Sequence, residues 1–224
     1  MSKNSSELGG LGRWAAAALA AGMLLVAAPA GATILSGSVT AGGGAFIKLA
    51  IPLTGSSPLN TVGNDNFNQQ NLYGFDESQN TTLTANLTPN LVPAGGLTTL
   101  LSGTTVASHY VFYDPVSGNI KGTVNFDADI LAVMTNTTTL AATDYLANTG
   151  VTYLNPGLRG LEAGDVVTLS GARQISIDFT ASSPGDYVRV LTAFSPGAVP
   201  EPGSYALVSM ALLGMGVAGR RRRS

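Results

Sequence analysis

The chain has 224 residues, enough for one ordinary globular domain once its two apolar ends are set aside. It contains no cysteine, which excludes disulfide bonds, thiolate metal sites and a cysteine nucleophile. The formal net charge is −2, but the body of the chain is more acidic: residues 33–199 carry eleven acids (13 minus 2) and five bases (11 minus 6). This excess of negative charge argues against nucleic acid and anionic lipid as partners.

The first 32 residues have the three parts of a secretory signal peptide. Lys3 and Arg13 form a basic region, residues 14–26 form a short apolar run, and small residues stand at Ala30 and Ala32. This order predicts export and cleavage after Ala32, with cleavage after Ala30 as the near alternative. An uncleaved membrane anchor is the competing interpretation, and the shortness of the apolar run disfavours it.

The body of the chain, residues 33–198, consists of short β-rich runs separated by turn formers. No long window has the spacing of an amphipathic helix. We therefore predict an all-β domain, an antiparallel β-sandwich of jelly-roll-like type. The clearest hairpin is expected over residues 109–134, with Asp114-Pro115 and Ser117-Gly118-Asn119 in its turn.

Two of the predicted strands alternate between apolar and polar side chains. One face of each is expected to lie in the core, and the polar residues between are expected to face water. The inward residues of these two strands are Val124, Phe126, Ala128, Ile130, Ile175, Ile177 and Phe179. A short helix is expected at residues 138–148.

The body offers few groups for catalysis. His109 is the only histidine, and we expect it to be a structural residue at a strand edge rather than the base of a catalytic triad. Glycoside hydrolysis requires two facing carboxylates, and their pairing does not follow from the spacing of the acids. We therefore predict that the protein is not an enzyme, with a small secreted hydrolase acting on extracellular polysaccharide as the alternative.

Two predictions concern ligands of the β domain. Asp127 and Asp129 alternate with apolar residues in the second strand of the hairpin, which places both carboxylates on one face, about 7 Å apart by strand rise. Hard oxygen ligands suit Ca²⁺, so these residues are a candidate calcium site, with a solvated strand face as the alternative. Tyr73 and Phe75 are candidate exposed aromatics for stacking on glycans, with ordinary core packing as the alternative. No other cofactor is predicted.

The last 26 residues, 199–224, have three parts in a definite order. A Pro-Glu-Pro triplet comes first, sixteen uncharged residues follow at 204–219, and four arginines close the chain. The prolines disfavour helix at the triplet, whereas the uncharged run is a candidate short transmembrane helix. Arginines stay on the cytoplasmic side, so the triplet and the body are expected outside. The residues concerned are Pro200, Glu201, Pro202, Arg220, Arg221, Arg222 and Arg223.

This order resembles the PEP-CTERM sorting signal of bacterial exosortase substrates. The resemblance implies that a membrane-embedded exosortase recognises Pro200, Glu201 and Pro202 and removes the tail. It also implies that the protein is exported through the inner membrane and stays in that membrane until it is processed. A further implication is an association with exopolysaccharide and biofilm matrix. We therefore predict a cell-surface or extracellular-matrix protein, either structural or glycan-binding, with exosortase and extracellular polysaccharide as partners.

Overall fold

The computed structural model describes residues 31–194. Twelve strands, one α-helix and one 3-10 helix make up this part of the chain, in the order β1 (Ile34–Ala41), β2 (Phe46–Lys48), β3 (Thr61–Val62), β4 (Leu72–Asp76), β5 (Thr81–Thr82), β6 (Thr105–Tyr113), β7 (Ser117–Phe126), β8 (Ile130–Met134), α1 (Thr137–Ala142), the 3-10 helix (Asp144–Leu146), β9 (Thr152–Tyr153), β10 (Val166–Gly171), β11 (Gln174–Ser182) and β12 (Asp186–Ala193). Strands hold 44% of the described residues and helices 5%, so the predicted all-β class is confirmed.

The strands form two main sheets. Sheet A has the order β1-β7-β11-β10, and sheet B has the order β2-β4-β6-β12-β8, with β5 also paired to β6. Neighbouring strands in both sheets are antiparallel except β2 and β4, which are parallel. A separate parallel pair joins β3 to β9. The predicted antiparallel arrangement therefore holds for most pairs.

One hydrophobic core lies between the two sheets. Strands β7 and β11 of sheet A supply alternate apolar residues to it, and β6, β8 and β12 of sheet B face them. Strict alternation is what a strand with one buried face requires. The seven side chains predicted to point inward are all buried, at 7% exposure or less.

Sheet B is covered on its outer face as well, which the prediction of a two-layer sandwich does not include. Eight of the nine residues of β6 are buried, as are seven of the eight of β12. The second core lies between this outer face and the loops, α1 and the 3-10 helix that pack on it. Burial on both faces explains why β6 and β12 are largely apolar rather than alternating.

The predicted hairpin at residues 109–134 is wrong. Strand β6 pairs with β4 and β12, whereas β7 pairs with β1 and β11, so the segment between them carries the chain from sheet B to sheet A. The bend at Asp114-Pro115 exists, but Ser117, Gly118 and Asn119 already belong to β7. Asp114 is fully buried and accepts the backbone N–H groups of Asp65 (3.0 Å) and Phe67 (3.3 Å), which fixes this crossing.

The helix expected at residues 138–148 is confirmed as α1 followed by the 3-10 helix. Asn136 caps α1, because its side chain accepts the Thr139 N–H at 2.9 Å. No helix within residues 31–194 is long and apolar enough to cross a membrane. The candidate transmembrane helix at 204–219 and most of the predicted signal peptide lie outside the described residues.

Candidate functional site

The two aromatic residues proposed for glycan stacking lie in the interior. Tyr73 and Phe75 are 3% and 0% exposed, and their rings pack against Phe112 and Tyr110 at centroid distances of 5.2 and 5.7 Å. Strand β4 is internal to sheet B, between β2 and β6, and this sheet is covered on both faces. The prediction that these rings are exposed for stacking is therefore wrong.

Asp127 and Asp129 lie beyond the end of β7, in the bend that leads to β8. Asp127 Oδ1 accepts the backbone N–H of Thr33 at 2.6 Å, and Asp129 Oδ1 accepts from Nε of Arg173 at 2.6 Å. The expectation that both carboxylates lie on one face of a strand is wrong, because both residues follow the end of β7 and each carboxylate has a separate partner. The described part of the chain contains no group of three or more acidic or histidine side chains that could hold a metal. Calcium binding here stays a prediction.

His109 is the centre of a chain of polar contacts. It lies within β6, an internal strand, and is fully buried rather than at a strand edge. Its Nδ1 is 2.7 Å from Oδ1 of Asp76, and its Nε2 is 3.0 Å from the hydroxyl of Thr192. On the outer side, Asp76 Oδ2 accepts from Lys48 Nζ at 2.8 Å and from the Thr33 hydroxyl at 2.6 Å. These contacts tie β1, β2, β4, β6 and β12 together.

The Asp76 carboxylate is held in its charged form. Burial acts to raise its pKa, but hydrogen bonds from His109, Lys48 and Thr33 outweigh burial and hold the pKa well below its usual range. An acid, a histidine and a hydroxyl in line resemble a catalytic triad in order. A nucleophile must reach substrate, whereas the Thr192 hydroxyl group belongs to a residue that is 0% exposed. The Thr192 hydroxyl is therefore enclosed in this structure, and the structural role of His109 stays a prediction.

A second buried network, which the sequence patterns above did not predict, joins Glu77 to Arg189. Arg189 donates from Nε and Nη2 to the two carboxylate oxygens of Glu77, at 2.6 and 2.9 Å, and both side chains are fully buried. Ser108 and Tyr153 donate their hydroxyls to the same carboxylate, at 2.6 and 2.7 Å. A charged residue inside the apolar run Tyr-Val-Arg-Val-Leu is the sequence signal for such a buried pair.

The same network reaches the surface at a cleft of about 350 Å³ beside the 3-10 helix. Arg189 also contacts Asp144 in the 3-10 helix, at 3.3 Å. Asp144 in turn forms an ion pair with Arg159, whose side chain is 3% exposed. Polar and aromatic side chains line this cleft, among them Asp144, Asn148, Thr149, Tyr153 and Arg159.

Three carboxyl groups meet where sheet A adjoins the start of β12. Asp165 accepts the backbone N–H groups of Thr180 (2.8 Å) and Glu162 (2.9 Å). Asp186 is 1% exposed, and its Oδ2 has no hydrogen-bond partner within residues 31–194. Burial, followed by the carboxylates of Asp165 and Glu162, raises the pKa of Asp186 to about 8. Because Asp186 is enclosed, this is not an accessible pair of the kind that glycoside hydrolysis requires.

The residues predicted to direct sorting, Pro200, Glu201, Pro202 and the arginines at 220–223, lie outside the described residues. The family model of the PEP-CTERM protein-sorting motif matches residues 198–223. No curated protein and no solved structure matches the chain. The predicted sorting signal is thereby confirmed, and it implies a secreted protein targeted to exosortase, with a surface or extracellular location after processing.

Proposed function

We propose that this chain, whose C-terminus is a PEP-CTERM sorting signal, is the precursor of a non-enzymatic component of an exopolysaccharide or biofilm matrix. The signal peptide starts export, and the uncharged segment 204–219 holds the precursor in the inner membrane. Exosortase then removes the tail and leaves the β domain, a jelly-roll-like sandwich, outside the cell. The match at residues 198–223 is the observation that carries this proposal.

The charges of the β domain favour a neutral polymer as its partner. Every basic side chain within residues 31–194 is in an ion pair, namely Lys48 with Asp76, Lys121 with Asp178, Arg159 with Asp144, Arg173 with Asp129 and Arg189 with Glu77. A polyanion binds to cationic side chains, which displace the small counterions condensed on it. The five basic side chains of the domain are already neutralised by carboxylates of the protein. An uncharged glycan does not require free cationic side chains for binding.

Burial of the candidate catalytic groups supports a binding role over a hydrolytic one. Thr192 and His109 are fully buried, and Asp186 is 1% exposed. A hydrolase acting on a polymer needs an acid or a nucleophile within reach of the scissile bond. These arrangements instead join strands of the core.

Substitution of Glu201 tests the processing step in the producing cell. We expect Glu201→Ala to leave the full chain in the membrane with its tail attached, because the altered triplet no longer fits the exosortase. Ser204→Ala, two residues beyond the triplet, is the matched control and should be processed as wild type. Release of a tail-less Glu201→Ala protein at the wild-type level would overturn the proposal.

A further inference from the structure

The cleft beside the 3-10 helix has the features of a ligand site that the sorting signal does not explain. We infer that it binds one unit of a neutral saccharide, with Arg159 as the principal hydrogen-bond donor. This inference rests on the proposed function, because it names the place where the extracellular domain contacts its glycan. The loop 147–159, together with Asp144, forms the walls of the cleft.

Arg159 is a buried residue with one donor atom, Nε, that lacks a partner within residues 31–194. Its side chain is 3% exposed and lines the cleft, and its Nε atom has no hydrogen-bond partner within residues 31–194. An unsatisfied buried N–H group is costly, so a ligand oxygen placed there removes a penalty that the free protein carries. Nη2 of the same guanidinium donates to Asp144, and the fork is thereby held in one orientation.

The position of Arg159 is fixed by the backbone as well. Its carbonyl oxygen accepts the hydroxyl of Thr137, the first residue of α1. The Asp144 carboxylate, which accepts from Nη2 of Arg159, is also contacted by the buried Arg189 at 3.3 Å. A site that is preorganised in this way loses little conformational entropy when a ligand binds.

Two further side chains give the cleft the amphipathic lining that sugars require. The ring of Tyr153 is held in place because its hydroxyl donates to Glu77 at 2.7 Å and accepts the Asn148 N–H at 3.1 Å. Asn148 Oδ1 accepts the Gly150 N–H at 2.9 Å, which leaves the Asn148 amide NH₂ as a second donor. An aromatic body beside fixed polar groups is typical of small-molecule sites.

The charge balance selects a neutral ligand. Arg159 is compensated by Asp144, and Arg189 behind it is compensated by Glu77. The cleft therefore offers directional N–H donors without net positive charge. A carboxylated or sulfated sugar would place its charge next to the exposed Asp144 carboxylate, whereas hydroxyl groups both donate to that carboxylate and accept from Arg159.

Affinity electrophoresis of the processed extracellular protein tests the inference. Native gels contain dextran, galactomannan or hydroxyethylcellulose as neutral probes and polygalacturonate as the acidic probe. We expect retardation by at least one neutral polymer. Arg159→Lys keeps the charge opposite Asp144 but lacks the Nε–H, so it should weaken binding about tenfold, the effect of losing one hydrogen bond to a charged group.

Two other variants keep the test independent of folding. Thr149 is exposed at the cleft, and Thr149→Met should obstruct the cleft and weaken retardation without loss of stability. Arg173→Lys is the matched control, because Arg173 forms an exposed ion pair at the turn between β10 and β11, and it should bind as wild type.

The outcomes separate this inference from the proposed function. If both Arg159→Lys and Thr149→Met bind the neutral polymer as the wild type does, the cleft is not the binding site. The proposed function of a glycan-binding matrix protein would still stand. Retardation by polygalacturonate alone would overturn the neutral class of ligand. Absence of retardation of the wild-type protein in every gel would overturn the cleft and the glycan-binding part of the proposed function together, but not the processing by exosortase.

Discussion

Asp186 is the residue whose charge should most alter the stability of the fold. It begins β12, is 1% exposed, and lies beside Asp165 with Oδ2 lacking a partner within the described residues. Burial, then Asp165 and Glu162, raise its pKa from 3.8 to about 8. The folded chain therefore holds this proton more tightly than the unfolded chain, and the carboxyl group is mostly protonated at neutral pH. Asp186→Asn imitates the protonated form at every pH.

The size of the effect follows from the shift in pKa. One pKa unit corresponds to about 1.4 kcal/mol, so the whole shift at Asp186 is worth on the order of 5 kcal/mol. Because the folded-state pKa is raised, this stability is fully present below about pH 4 and is lost as the pH rises through about 8. Between about pH 5 and about pH 9 the wild-type free energy of unfolding should fall by about 4 kcal/mol more than that of Asp186→Asn.

Urea unfolding of the two proteins at both pH values measures this difference. Groups that do not interact with Asp186 titrate equally in both proteins; Asp114, for example, has a pKa raised to about 6 by burial. Subtracting the change in the free energy of unfolding measured for Asp186→Asn from the change measured for the wild type cancels these contributions. Parallel loss of stability in both proteins would refute the assignment of the buried proton to Asp186.

Three further predictions concern folding and export. Arg189→Met should lower the free energy of unfolding by about 3–5 kcal/mol, because it leaves the Glu77 charge buried and unpaired, and chemical denaturation will measure it. Phe75→Ala should lower it by about 3–5 kcal/mol by leaving a cavity in the outer core, whereas little change would indicate an exposed ring. Ala32 is 1% exposed among buried alanines, which favours the alternative cleavage after Ala30 over cleavage after Ala32, so the processed chain should begin at Gly31. N-terminal sequencing that starts after Ala32 would contradict this.

Local patterns in the sequence predicted part of the fold correctly. The alternation in β7 and β11 identified their buried faces, because side-chain direction in a strand depends only on neighbouring residues. The local sequence of residues 138–148 predicted the short helix in the same way, although its cap, Asn136, was not part of that prediction. The C-terminal sorting signal is also local, since its three parts follow one another within residues 198–223.

Contacts between residues far apart in the sequence could not be predicted from local patterns. Glu77 and Arg189 are 112 positions apart, and nothing in either neighbourhood specifies the other. The bend at Asp114 was predicted, but a bend does not reveal whether the strands on either side pair or enter different sheets. The burial of Tyr73 and Phe75 does not follow from their own strand, because the apolar layer over sheet B is assembled both from the preceding loop and from the helices at 137–146.

The C-terminus of the extracellular protein tests the central claim most directly. Intact mass and C-terminal peptide mapping of protein collected from the medium or the cell surface should show a chain that ends near the Pro-Glu-Pro triplet and lacks the arginines at 220–223. Extracellular protein that still carries Arg223 would contradict processing by exosortase.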